Sequence, residues 1–175
     1  MRVLGVDPGL NITGYGLVVR QGRGLHLAEA GVIRPGPASH PLPDRLSALY
    51  DALEEVLQQF RPDAVSIEAV FSHRQFPAPA VWMAHARGVL LLAASRNGVP
   101  VESYPPATVK QAIVGNGRAS KEQVQHMVAQ RLGLPGLPGP ADLSDAVALA
   151  ITHLEGAGLL LERSEVQGGR RASLA

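Results

Sequence analysis

Apolar residues crowd the start of the chain. Val3, Leu4 and Val6 fill residues 2–7 almost without interruption, the pattern of a strand covered on both faces. Residues 14–20 (GYGLVVR) and 25–34 (LHLAEAGVIR) read as two further strands, joined by Gln21-Gly22-Arg23-Gly24, a glycine-rich hairpin signal. The segment 35–43 is rich in proline and reads as a connector. From residue 44 to 60 the period changes. Leu46, Leu49, Leu53, Val56, Leu57 and Phe60 fall on one face of a helix, which Arg61-Pro62-Asp63 ends.

Residues 64–68 form a fourth strand, 71–79 a loop, and 80–97 a long apolar helix closed by Gly98. A fifth strand covers 99–104. Pro105-Pro106 opens a helix to about residue 114, and Gly115-Asn116-Gly117 breaks it. Ser120 with Gln123 makes a capping box for a helix over 121–132. After a Pro/Gly loop at 134–140, a final helix spans 141–154. Beyond Gly156 the periodicity fades, so the reading divides the chain into one domain, 1–156, and a disordered tail, 157–175. The order β-β-β-α-β-α-β-α-α-α predicts an α/β fold, a five-stranded mixed sheet with an antiparallel edge and helices on both faces.

Composition alters this picture only modestly. A chain of 175 residues suits one domain with a substantial core. With no cysteine, disulfides and Cys-based zinc sites are excluded, which fits a cytoplasmic location. Asp7 interrupts the first apolar run, so the N-terminus does not read as a secretory signal. The longest apolar run, 89–94, is too short to cross a membrane. A net charge of +1 gives no direct sign of nucleic-acid binding, although Lys and Arg gather in connectors.

The acids carry more information. Asp7 ends the first strand and Glu68 the fourth, while Asp142 and Asp145 open the last helix three residues apart, on one face. Taken singly, each has an ordinary role: a turn before Pro8-Gly9 for Asp7, a solvated edge for Glu68, a helix-dipole partner for the aspartates. Taken together, they stand at core-facing boundaries of separate elements. Four carboxylates converging there would repel by roughly 3 kcal/mol per close pair at ~5 Å. An ionised cluster of this kind calls for a hard, oxygen-preferring cation such as Mg²⁺ or Mn²⁺. Two such ions would suit phosphoryl chemistry.

The ordered motifs Gly5-Val6-Asp7-Pro8-Gly9 with Thr13-Gly14-Tyr15-Gly16, Ser66-Ile67-Glu68-Ala69-Val70-Phe71, Val109-Lys110-Gln111, Lys121 with Val124-Gln125-His126-Met127, and Asp142-Leu143-Ser144-Asp145-Ala146 resemble the RuvC family of Holliday junction resolvases over residues 1 to about 153. The resemblance implies a ribonuclease H-like fold and metal-dependent endonucleolytic cleavage of four-way DNA junctions by a homodimer, in recombination and repair. It implies a partnership with a branch-migration helicase complex. It assigns Asp7, Glu68, Asp142 and Asp145 as catalytic metal ligands for Mg²⁺ or Mn²⁺, two per site. Lys110 and Lys121 become DNA-binding or catalytic cations, and Phe71 and Arg74 part of the loop that touches the junction. Two other functions compete: an actin- or sugar-kinase-like nucleotide-binding domain, which would need a second phosphate loop and domain absent from this sequence, and a ribonuclease H-like module acting on other nucleic acids.

Overall fold

Two antiparallel pairings and two parallel ones build a single five-stranded sheet in the computed structural model, which describes residues 1–69, 77–137 and 139–171, except the side chains of 77–79 and 157–171. The elements are β1 (Arg2–Asp7), β2 (Thr13–Gln21), β3 (Gly24–Ile33), α1 (Leu42–Phe60), β4 (Ala64–Glu68), α2 (Pro77–Arg96), β5 (Val101–Tyr104), α3 (Pro106–Val114), α4 (Lys121–Arg131) and α5 (Ala141–Arg171). The sheet order is β3-β2-β1-β4-β5. β1 runs antiparallel to β2 and parallel to β4, and β4 runs parallel to β5. This agrees with the mixed sheet and antiparallel edge read from the sequence.

Side chains alternate across a strand, and this alternation sorts the sheet into two cores. Leu4, Val6, Leu17, Val65 and Ile67 pack with α1 and α2 on one face. Val3, Val18 and Ala64 pack with α3, α4 and α5 on the other. The same period of two decides where the acids go. Val3, Gly5 and Asp7 share the α5 face of β1; Ala64, Ser66 and Glu68 share the α5 face of β4.

The element boundaries moved by a few residues, with one larger difference. The last helix does not end near residue 154; its backbone stays helical to Arg171. The weak helix formers Gly156 and Gly158 are followed by Leu159-Leu160-Leu161-Glu162-Arg163, all residues that lose little side-chain freedom in a helix. Composition alone had suggested a tail without structure there.

α5 lies unusually close to the sheet, and glycine permits it. A Cβ on Gly5 would stand 1.8 Å from the Ala146 carbonyl oxygen, and one on Gly14 would stand 2.1 Å from that of Asp142. Neither position adopts positive φ, so the requirement is space for the helix. Ser66 fixes the helix along the strand by donating to the Leu149 carbonyl at 2.8 Å. α5 thereby brings its first turn down to the C-terminal ends of β1 and β4.

Candidate active site

Parallel register sets Val6 beside Ile67, so Asp7 and Glu68 follow at adjacent strand ends. Above them, Asp142 and Asp145 project from the first turns of α5. All four line one cleft of about 410 Å³, with Lys110 from α3 and Lys121 at the start of α4. Ligand sites in open α/β sheets form beyond the carboxyl ends of the strands, and this cleft obeys that rule. The structure thus brings together the four acids whose convergence the sequence raised, and it sets Lys110 and Lys121 in the same cleft. Phe71 and Arg74 lie outside the described residues.

The acids are partly buried and feel one another. Burial pushes the Asp7 carboxyl up to about 8, with Glu68, Asp145 and Asp142 adding to the rise while Lys121 opposes it. Glu68 is raised by burial and then by Asp145, with Lys121 and Lys110 pulling the other way. The Lys121 Nζ donates to Asp145 at 3.3 Å, and this charge holds the lysine above its ordinary value against a smaller effect of desolvation. The lysine side chain is 66% exposed, so the pair itself adds little stability. Two ammonium groups do not balance four carboxylates. Such perturbed clusters concentrate at functional sites.

The donor set suits a hard divalent cation, because every candidate ligand is a carboxylate oxygen and the charge is uncompensated. The acids do not form a closed cage: among the described residues, no three His, Asp or Glu side chains make a ready-made metal site.

Three arginines and a threonine frame the site, and the sequence reading did not single them out for it. Arg45, 6% exposed on α1, donates from Nη2 to the Leu10 carbonyl at 2.6 Å and to Asn11 Oδ1 at 2.9 Å. The Thr13 hydroxyl donates to the Gly9 carbonyl at 2.7 Å and accepts from the Gly9 N–H at 3.1 Å. Together they fasten the turn that follows Asp7. Arg87, on α2, donates from Nε to the Glu68 carbonyl at 3.1 Å and from Nη2 to Ser103 Oγ at 2.6 Å, tying the end of β4 to β5. Arg131 ion-pairs with Glu155 and caps the Ala112 and Ile113 carbonyls, joining α3, α4 and α5. A signal existed for two of them. Arg45 precedes Leu49 by four and Arg87 precedes Leu90 by three, so each puts a charge on or beside a buried helical stripe.

The sequence profile described as crossover junction endodeoxyribonuclease RuvC matches residues 3–153. The crossover junction endodeoxyribonuclease RuvC of Rhodopirellula baltica is 47% identical over 149 residues, spanning 85% of this chain and 83% of the relative. The structure of T. thermophilus RuvC in complex with a Holliday junction substrate superposes with a TM-score of 0.83 at 39% identity, over 90% of this chain and 94% of that one. The yeast mitochondrial Holliday junction resolvase, at 15% identity and a TM-score of 0.63 over 86% of this chain and 78% of that one, shares the fold. A profile across nearly the whole domain, a relative at this identity and a superposition over most of both chains lead to one conclusion: the chain belongs to the RuvC family of crossover junction endodeoxyribonucleases.

Proposed function

We propose that the protein resolves four-way DNA junctions by hydrolysing one phosphodiester in each of two equivalent strands. The observation that carries this is the convergence of Asp7, Glu68, Asp142 and Asp145 in one cleft of a chain that belongs to this family. Kinase-like readings lose their support, since the match runs the length of the domain.

In this reading the four carboxylates hold Mg²⁺ or Mn²⁺, two ions per site. When bound, the cations supply activation of the attacking water and stabilisation of the leaving oxygen. The chain's own part is positional. β1 and β4 fix Asp7 and Glu68 on rigid strand ends, and α5, lodged against Gly5 and Gly14, fixes Asp142 and Asp145. Lys110 and Lys121 present ammonium groups at the cleft wall, where a scissile phosphate would bring its charge. Water adds to phosphorus, the bond to one sugar oxygen breaks, and the nicked strand ends in one phosphate and one hydroxyl.

Purified protein should nick a four-way junction at paired positions with Mg²⁺ or Mn²⁺ and leave a linear duplex of the same sequence whole. Calcium, which favours more ligands at longer distances, should support binding without cutting. Undiminished cleavage in excess chelator would remove the metal assignment, and equal cutting of linear DNA would remove junction selectivity.

A homodimer fits a substrate with two equivalent strands. Val81, His85, Gly88 and Leu92 form an exposed stripe along α2, with Val81 51% and Leu92 52% exposed. A Cβ on Gly88 would meet nothing within 4 Å, so a second helix has room to approach. Light scattering at micromolar concentration should report twice the chain mass. Mixing wild type with Asp7→Asn protein should turn paired cuts into single nicks; paired cuts by a monomer would overturn the dimer. Action beside a junction-moving helicase in the cytoplasm completes the reading, supported by family resemblance. Among the described residues, no helix is long and apolar enough to cross a membrane.

A further inference from the structure

A second groove opens from the carboxylate cleft and shares Gly9, Ile12, Met83 and Asp142 with it. It runs between the turn after Asp7 and the first turns of α2, and encloses about 630 Å³, within the ~300–1,000 Å³ of ordinary ligand sites. We propose that this groove holds a nucleotide flanking the scissile phosphate, with its base unstacked against Trp82. This rests on the junction-cleaving reading above and extends it to a base-contacting subsite.

Three features favour a nucleotide as the occupant. Trp82 is 47% exposed on the wall of the groove. The His85 ring stands 6.3 Å from it at 52°, bracing the indole from one side. An indole so placed offers a face to any base, and aromatic stacking is how unpaired nucleotides are held without sequence readout. Trp82 also lies about 100° around the helix from Val81, turned from the exposed α2 stripe toward the cleft.

The charge in the groove is the second feature. Among the described residues of its lining, Asp142, at the shared end, is the one acid, and Arg45 supplies a cation from the wall. Among the described residues, Arg45 has no carboxylate within ion-pair distance. Burial keeps the guanidinium from direct contact, but its charge offsets that of Asp142 and lowers the repulsion a phosphate would meet in the groove.

The third feature is the orientation of Asn11. Arginine only donates, so the Asn11 oxygen must be the atom that accepts from Arg45 Nη2 at 2.9 Å. This turns the amide nitrogen of an exposed side chain away from the arginine. It becomes a donor for a phosphate or a base edge. A turn fastened by Arg45 and Thr13 would thus link the Asp7 carboxylate to the seat of the neighbouring nucleotide.

The chain has a single tryptophan, so its own fluorescence reports on this groove. The full chain carrying Asp7→Asn, which leaves DNA uncut, is titrated with a four-way junction and with linear duplex. Junction should quench the emission and duplex should not. An abasic nucleotide, moved stepwise past the cut site, should abolish the quench at one flanking position. Trp82→Ala in the same background should weaken junction binding about ten-fold, equivalent to ~1.4 kcal/mol and inside the range for one stacked base. Trp82→Phe should recover most of that loss, and the thermal midpoint should hold.

Emission that follows protein concentration and ignores DNA would overturn the assignment and place Trp82 in a contact between chains. Equal junction affinity of Trp82→Ala and its parent would overturn it as well, leaving junction cleavage by the wild type intact. Absence of both junction binding and junction cutting by the wild type would bring down the functional reading together with this one.

Discussion

Asp7→Asn should abolish cleavage and, in metal-free buffer, make the protein more heat-stable. The amide keeps the shape of the carboxylate but removes a candidate cation ligand and its charge. Loss of one preorganised group that stabilises transition-state charge costs about 10²–10³ in rate, and a lost cation ligand should reach at least that. The stability gain follows from the cluster. Burial and three neighbouring acids push Asp7 up to about 8 from the usual 3.8. The folded chain therefore binds a proton more tightly than the unfolded chain, and the resulting stabilisation is fully present below about pH 4. It is lost as pH rises through the window up to about 8. Metal-free wild type should melt at progressively lower temperature across that window, while Asp7→Asn stays flatter. Each kcal/mol relieved raises the midpoint by ~2–4 °C in a chain of this size. Added Mg²⁺ should raise the wild-type midpoint at pH 8 more than the variant's. Parallel pH profiles for the two proteins would show that Asp7 is not the strained acid, and retained cleavage would remove it from the site.

The second large effect should come from Gly5→Ala, a change of one methyl at a residue that touches no substrate. The new Cβ would lie 1.8 Å from the Ala146 oxygen and 2.8 Å from the Ala150 nitrogen, both backbone atoms of α5 that no rotamer change can move aside. Overpacking of this kind costs typically ~1–3 kcal/mol, here toward the upper end, and the helix must lift from the sheet. Asp142 and Asp145 ride on that helix, and a displacement of ~1 Å at a reacting group can cost ~10² in rate. Differential scanning calorimetry should show a lower midpoint, and the junction assay a loss of cleavage larger than the fraction unfolded explains. Gly136→Ala, where a Cβ meets nothing within 4 Å, is the control and should change neither. A fully active Gly5→Ala enzyme would mean that the close seat of α5 does not set the acid geometry.

Much of this arrangement could be read along the chain because local rules and tertiary demands agree. The near-continuous apolar runs of β1 and β4 announce strands covered on both faces, and the capping box at Ser120 with Gln123 appears as its residues foretell. Asp7 and Glu68 were legible because each ends an apolar strand, the position at which such sheets form sites. The end of α5 was less so, since glycine weakens a helix without forbidding it. The roles of Arg45 and Arg87 escaped because a carbonyl partner leaves no mark in sequence: Leu10 and Glu68 accept through backbone oxygen, and any residue offers one.

Sequence by itself determined most of the strands and helices, the placing of Asp7 and Glu68 at the ends of apolar strands, and the family motifs. Tertiary structure alone decided that β1 and β4 lie side by side in parallel, with Val6 level with Ile67. It alone decided how deeply α5 settles onto Gly5 and Gly14, and hence that acids separated by more than a hundred residues line one cleft. The physical reason is range. Periodicity and capping act across a few residues of one element, whereas strand order, the distance of helix from sheet and the summed charge of a cleft depend on contacts between elements far apart in the chain.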